Sequence, residues 1–119
     1  VGDGLHILLQ IILFCNNIME APHITVCDIN SDINTLQSAD ICAVNGSIEM
    51  LGLENATTFV KEIVDSNKFH YIIFTYIPNQ GICNRFNARC LYALGNRAVY
   101  IVDVRLLVYA QGVVEALAQ

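Results

Sequence analysis

Five cysteines and three histidines are the side chains of this 119-residue sequence best suited to chemistry. The cysteines are Cys15, Cys27, Cys42, Cys83 and Cys90. Their number is odd, no C-x-x-C occurs, and each lies in an apolar stretch. That is the pattern of reduced, buried thiols rather than a disulfide framework. His23 and Cys27 can share one strand face, but no second ligand pair completes a zinc site, whose ligands are spaced more tightly. His6 falls on an apolar helix, His23 opens a strand and His70 lies beside another. None has a neighbour in sequence that makes it a base, and no nucleophile comes with a partner. Asp28 and Asp40 are far apart and read as solvated carboxylates. The expectation is a non-enzyme with no metal and no cofactor.

Binding chemistry is better supplied. Thr75–Leu94 reads TYIPNQGICNRFNARCLYAL. An apolar strand ends in Pro78-Asn79-Gln80-Gly81, and a helix capped by Asn84 follows. Asn45-Gly46-Ser47 closes an earlier strand in the same way. Small residues and free N–H groups between a strand and a helix are the raw material of an anion site. Arg85 and Arg89 fall one helical turn apart on that helix. No G-x-G-x-x-G or Walker sequence accompanies them, and Val1-Gly2-Asp3-Gly4 has no strand before it, which excludes a Rossmann cofactor domain. Asn45-Gly46-Ser47 and Asn55-Ala56-Thr57 fit the glycosylation sequon, a triplet common by chance.

Charge divides the chain. The net charge is −5, yet all six basic residues, Lys61, Lys68, Arg85, Arg89, Arg97 and Arg105, lie in the second half. From Asp28 to Glu54 there are five acids and no base. The balance excludes a strong, non-specific polyanion binder but allows a small basic patch. If RNA binds, those six residues are the candidates, with Arg85 and Arg89 the best placed.

The elements that position these groups alternate. Apolar residues make up 55% and charged residues 14%, which suits one domain, residues 1–119, with a well-buried core. Leu5–Met19 reads as a buried helix with a narrow polar stripe, too short to span a membrane. Strands are expected over His23–Ile29, Ala39–Gly46, Phe69–Ile77 and Ala98–Val104. Helices are expected over Ala56–Ser66, capped by Asn55, over Asn84–Leu94 with Gly95 at its end, and over Leu106–Ala118. Strands separated by helices imply a mostly parallel sheet covered on both faces. Phe69–Ile77, apolar throughout, belongs at its centre. Ligands then sit beyond the carboxyl ends of the strands, at Asp28-Ile29-Asn30, Asn45-Gly46-Ser47, Pro78-Asn79-Gln80-Gly81 and Asp103. A chain that opens on valine reads as a piece of a longer protein.

SADICAVNGSIEMLGLENATTFV resembles the ADP-ribose strand and following helix of a macrodomain. TYIPNQGICNRFNARCLYAL resembles its second phosphate loop, and AVYIVDVRLLVYAQGVVEAL its last strand and closing helix. The spacing is shorter than in a full macrodomain. The order and the strings ITVCDI and NARC resemble the middle macrodomain-like module of the SARS-unique domain, from the large replicase protein of betacoronaviruses that carries the papain-like protease. The resemblance covers nearly the whole chain.

It implies a three-layer α/β/α macrodomain-like sandwich. It also implies a non-catalytic viral replicase module that binds purine-rich or G-rich RNA, a viral or host protein partner, or both. Its place would be the host cytoplasm, within a membrane-associated replicase protein. The domain itself would be a monomer that touches no membrane. The family's lysine-rich patches are not matched, since only Lys61 and Lys68 are lysines. Asn45, Gly46, Asn79, Gln80 and Gly81 stand at the nucleotide-loop positions. Ile48–Leu53, IEMLGL, puts bulk where the Gly-rich segment should be, and Glu49 and Glu54 repel a diphosphate, so these positions read as vestigial. The alternatives are an ADP-ribose-binding macrodomain or hydrolase, and a structural spacer within a polyprotein.

Overall fold

β-branched and aromatic residues between turn-forming residues set the strands of this chain. The architecture comes from a computed structural model, which describes residues 22–44, 48–74, 80–94 and 97–118. Five strands form one sheet: β1 Ile24–Cys27, β2 Ile41–Val44, β3 Tyr71–Phe74, β4 Arg89–Leu94 and β5 Arg97–Asp103. Three α-helices accompany them: α1 Gly52–Asp65, α2 Gln80–Phe86 and α3 Val104–Ala118. Short 3-10 turns lie at Ile33–Thr35 and Ile48–Leu51. The helix expected over Leu5–Met19 lies outside the described residues.

The sheet order is β1-β2-β3-β5-β4, so β3 is central, as its apolar run requires. β1–β2 and β2–β3 are parallel, whereas β3–β5 and β5–β4 are antiparallel. The sheet is therefore mixed, not mostly parallel. The reason lies in Arg89–Leu94, expected as helix and found as β4. Asn87 adopts φ 53°, a left-handed conformation that ends α2 at Phe86. Only two residues separate β4 from β5. A parallel crossover needs a dozen or more, so β5 must run back against its neighbours.

Alternation of side chains gives the sheet two apolar faces. On the first, Cys42, Val44, Ile72, Phe74 and Val102 pack with Phe59, Val60 and Ile63 of α1, Ile82 and Phe86 of α2, and Val104 of α3. On the second, Ile41, Ile73, Val99 and Ile101 form a separate buried cluster, 0–4% exposed. Among the described residues, no helix contributes to that second cluster.

α1 begins earlier than expected. Gly52, at φ 74°, links the 3-10 turn to the helix, and Asn55 lies inside the first turn rather than capping it. At the other end Asn67, φ 57°, turns the chain back toward β3.

Candidate functional site

Strand direction decides which residues meet. The carboxyl ends of β1, β2 and β3 point to one edge of the sheet. Asp103, expected there, lies at the opposite edge because β5 is reversed and pairs Asp103 with Tyr71, the first residue of β3. Its carboxylate is occupied as the N-cap of α3, where Oδ1 accepts from the Leu106 N–H at 3.1 Å. Asp28 does reach the carboxyl edge but closes a local turn, its Oδ1 accepting from Asn30 N–H at 2.8 Å.

Of the nucleotide-loop positions, Asn45, Gly46 and Asn79 lie outside the described residues. Gln80 and Gly81 form the first turn of α2, and Gln80 Nε2 donates to Asn84 Oδ1 at 3.0 Å. Asn84, expected as the cap, is thus an interior residue. α2 has only seven residues, and its N-terminus carries a correspondingly small dipole. Ile48, from the IEMLGL segment, is 2% exposed and belongs to the core, while Met50 is 76% exposed. Ile48–Leu51 form a 3-10 turn anchored by Ile48, and Gly52-Leu53 begin α1, with no run of glycines.

The five basic residues whose side chains are described do not form one patch. Arg85 lies in the last turn of α2, but Arg89 starts β4, so the pair is not on one helix. Arg85 shares a groove of about 350 Å³ with Leu53, Glu54, Thr57 and Thr58 of α1. Lys61, exposed, lies two turns beyond Glu54 on that face of α1. Arg89 belongs to a different groove, about 160 Å³, walled by Phe86, Leu106, Leu107, Ala110 and Asp103. Arg105 stacks over the Tyr71 ring, 5.5 Å from its centroid, and donates to Tyr71 Oη at 3.1 Å. Arg97 opens β5.

Lys68 is withdrawn from any phosphate role. Its ammonium donates to the carbonyls of Ile33, Asn34 and Leu36 at 2.9, 3.0 and 2.8 Å. It thereby satisfies the carbonyl end of the first 3-10 turn. A groove beside it is lined by Asp32, Glu62 and Asp65, a wall that repels phosphate.

Three features had no sequence signal strong enough to find them. Cys27 and Cys42, on adjacent strands, meet Sγ to Sγ at 3.4 Å in the core, although no thiol had an evident partner. The hydrogen bond to Cys27, with burial, pushes the Cys42 thiol far above its ordinary range. Cys27 moves the other way through its hydrogen bond with Cys42, against the opposing effect of burial. Secondly, His23 and His70 converge on Asp40 at the amino edge. His23 Nδ1 lies 3.7 Å from Oδ2 and His70 Nδ1 3.8 Å from Oδ1. The His23 backbone N–H donates to Oδ2 at 2.9 Å. These are ion-pair separations for charged imidazoles, not the short hydrogen bonds of a catalytic pair. Among the described residues, no three His, Cys, Asp or Glu side chains could hold a metal.

The third feature is α3. Only Val104 is buried along its length. Leu106, Tyr109, Val114 and Leu117 are 54%, 71%, 66% and 82% exposed. Each residue from Val108 to Ala118 is exposed. Among the described residues, no helix is long and apolar enough to cross a membrane. Comparison with protein-family models, curated proteins and solved structures gives no match in any of the three.

Proposed function

We propose that this chain is a non-catalytic binding module whose principal contact is with protein, through α3. The observation that carries this reading is the apolar surface that α3 leaves in water from Leu106 to Leu117. Contiguous exposed apolar surface marks an interaction site on a soluble domain. Dispersal of the basic residues and the commitment of Lys68 to backbone carbonyls weigh against RNA as the main ligand.

RNA is the second reading, favoured by one feature: Arg85 on the α1–α2 groove, with Lys61 on the same face of α1. Two cations and a net charge of −5 give weak binding with a shallow salt slope, roughly two contacts. The purine-rich or G-rich preference comes only from the resemblance. So does the assignment to a coronavirus replicase protein in the host cytoplasm. ADP-ribose binding is disfavoured by the IEMLGL segment, which lacks a run of glycines and whose Ile48 is held in the core.

The macrodomain-like sandwich belongs to the same reading. The second face of the sheet is buried, yet none of the three described helices packs on it. Leu5–Met19 is the one apolar stretch outside the described residues long enough to form the third layer.

Calorimetry tests the choice of ligand class. ADP-ribose should give no heat at millimolar concentration. G-rich and A-rich oligonucleotides should bind weakly at low salt and not at physiological salt, with Arg85→Ala/Lys61→Ala abolishing the remainder. A micromolar ADP-ribose constant would restore the nucleotide pocket. Tight oligonucleotide binding at physiological salt would make RNA the principal ligand.

A further inference from the structure

We propose that the groove at the base of α3 binds a free α-amino acid with a leucine-sized apolar side chain, its carboxylate held by Arg89 and its ammonium by Asp103.

The groove encloses about 160 Å³ and joins apolar walls to two opposite charges. Phe86, at the end of α2, is buried in the core, and Leu107 packs against the same core. Leu106 and Ala110, one helical turn apart on α3, complete the apolar walls. A space of roughly 150 Å³ accommodates a benzene-sized apolar body, so a branched four-carbon side chain fits.

The charges come from the β4–β5 hairpin. Arg89 opens β4 opposite Ile101, and Asp103 lies two residues further along β5. Diagonal neighbours of this kind on paired strands stand about 7–8 Å apart. Among the described residues the ion pairs all involve Asp40, so Arg89 and Asp103 do not neutralise each other. Asp103 Oδ1 accepts from the Leu106 N–H, which fixes the carboxylate and leaves Oδ2 without a hydrogen-bond partner among the described residues. The remaining polar side chain at the groove, Asn87, is neutral.

Arg89 alone would select a simple carboxylate, and Asp103 alone an amine. Opposite charges left open together beside an apolar groove fit a molecule that carries both charges on one carbon next to an apolar chain. An α-amino acid has that layout. Charge-assisted hydrogen bonds of about 2.7–2.9 Å at each end let its ammonium and carboxylate span the gap between the two side chains. A residue within a peptide has neither charge, so the site selects the free amino acid over protein. It is separate from the apolar surface that Val114 and Leu117 leave in water further along α3. Arg89 is exposed and Asp103 half-buried, so water screens both contacts and the dissociation constant should be on the order of 1 mM.

Titration of the isotope-labelled full chain with leucine, followed by heteronuclear NMR, tests the proposal. The amides of Asn87, Arg89, Leu106 and Ala110 should shift and saturate with that constant. Isocaproate, which lacks the ammonium, and isoamylamine, which lacks the carboxylate, should each bind at least about tenfold more weakly. Glycine, with no side chain to bury, should give no saturable shift. Asp103→Asn keeps a good helix cap. It should reduce leucine to the affinity of isocaproate and leave isocaproate itself unweakened. Ala110→Phe, at an exposed position, should fill the groove and abolish binding of both. No saturable shift at these amides with about 20 mM leucine, well above the expected constant, would overturn the proposal. Isocaproate binding as tightly as leucine would also overturn it, and would make the groove a site for simple carboxylates. Leucine binding undisturbed by Ala110→Phe would overturn it by placing the ligand elsewhere.

Discussion

A lysine ammonium carries three N–H donors, and Lys68 directs all three to carbonyls of Ile33, Asn34 and Leu36. Charged hydrogen bonds of this kind contribute about 1.5–3 kcal/mol each at most, and leaving carbonyls unpaired costs a similar amount. Lys68→Ala should therefore lower unfolding stability by about 2–3 kcal/mol in urea titration, while leaving oligonucleotide binding unchanged. A stability-neutral substitution that weakens oligonucleotide binding would return Lys68 to the basic patch. The acceptors lie 32–35 residues away in sequence, so nothing local in the sequence distinguishes this lysine from a solvated one.

The buried thiols give a second prediction at the same scale. The hydrogen bond with Cys27, with burial, pushes the Cys42 thiol up, while the same hydrogen bond lowers Cys27. In the folded chain the Cys42 thiol keeps its proton above the ordinary thiol range, whereas in the unfolded chain it titrates within that range. Above the ordinary thiol pKa of about 8.5, the unfolded state therefore binds fewer protons, and stability falls as pH rises, by up to about 1.4 kcal/mol per pH unit. Unfolding midpoints measured between neutral and alkaline pH should show this slope, and Cys42→Ala should flatten it. A slope unchanged in Cys42→Ala would assign it to other groups.

At the scale of elements, β1, β2, β3, α1 and α3 were legible because their apolar periods are clean. α1 shows it plainly: Phe59, Val60, Ile63 and Val64 predict its buried face, and all are buried. Arg89–Leu94 was not legible. RCLYAL contains residues that suit a helix as well as a strand, and the preceding helix face runs into it without a glycine or proline. The decisive feature is Asn87 at φ 53°, which tertiary context selects. A side chain branched at Cβ is poorly tolerated there, at a cost of about 1–2 kcal/mol. Asn87→Val should destabilise by that amount in chemical denaturation, and Asn87→Gly should be neutral or slightly stabilising. An Asn87→Val variant as stable as wild type would mean that α2 does not end in this conformation. The misread element carried the site with it. Once Arg89 left the helix, the Arg85–Arg89 pair dissolved, and reversal of β5 moved Asp103 to the other edge.

For the whole molecule, the sheet requires cover on two faces. Ile41 and Ile73, at 0% exposed, could not remain dry beneath water, and the described helices all serve the opposite face. Removing residues 1–20 should therefore expose that face, with anilinonaphthalene sulfonate fluorescence rising and the cooperative thermal transition lost or lowered. An unchanged transition without dye binding would rule out Leu5–Met19 as the third layer.

α3 differs from the sheet in that its apolar stripe has no cover among the described residues, and a protein partner would provide it. Amide hydrogen exchange across Val104–Ala118 in the isolated chain, with α1 as the internal reference, tests that most directly. Exchange from Leu106 to Ala118 should be much faster than in α1. Exchange in α3 as slow as in α1 would contradict the assignment of this helix as an open protein-contact surface.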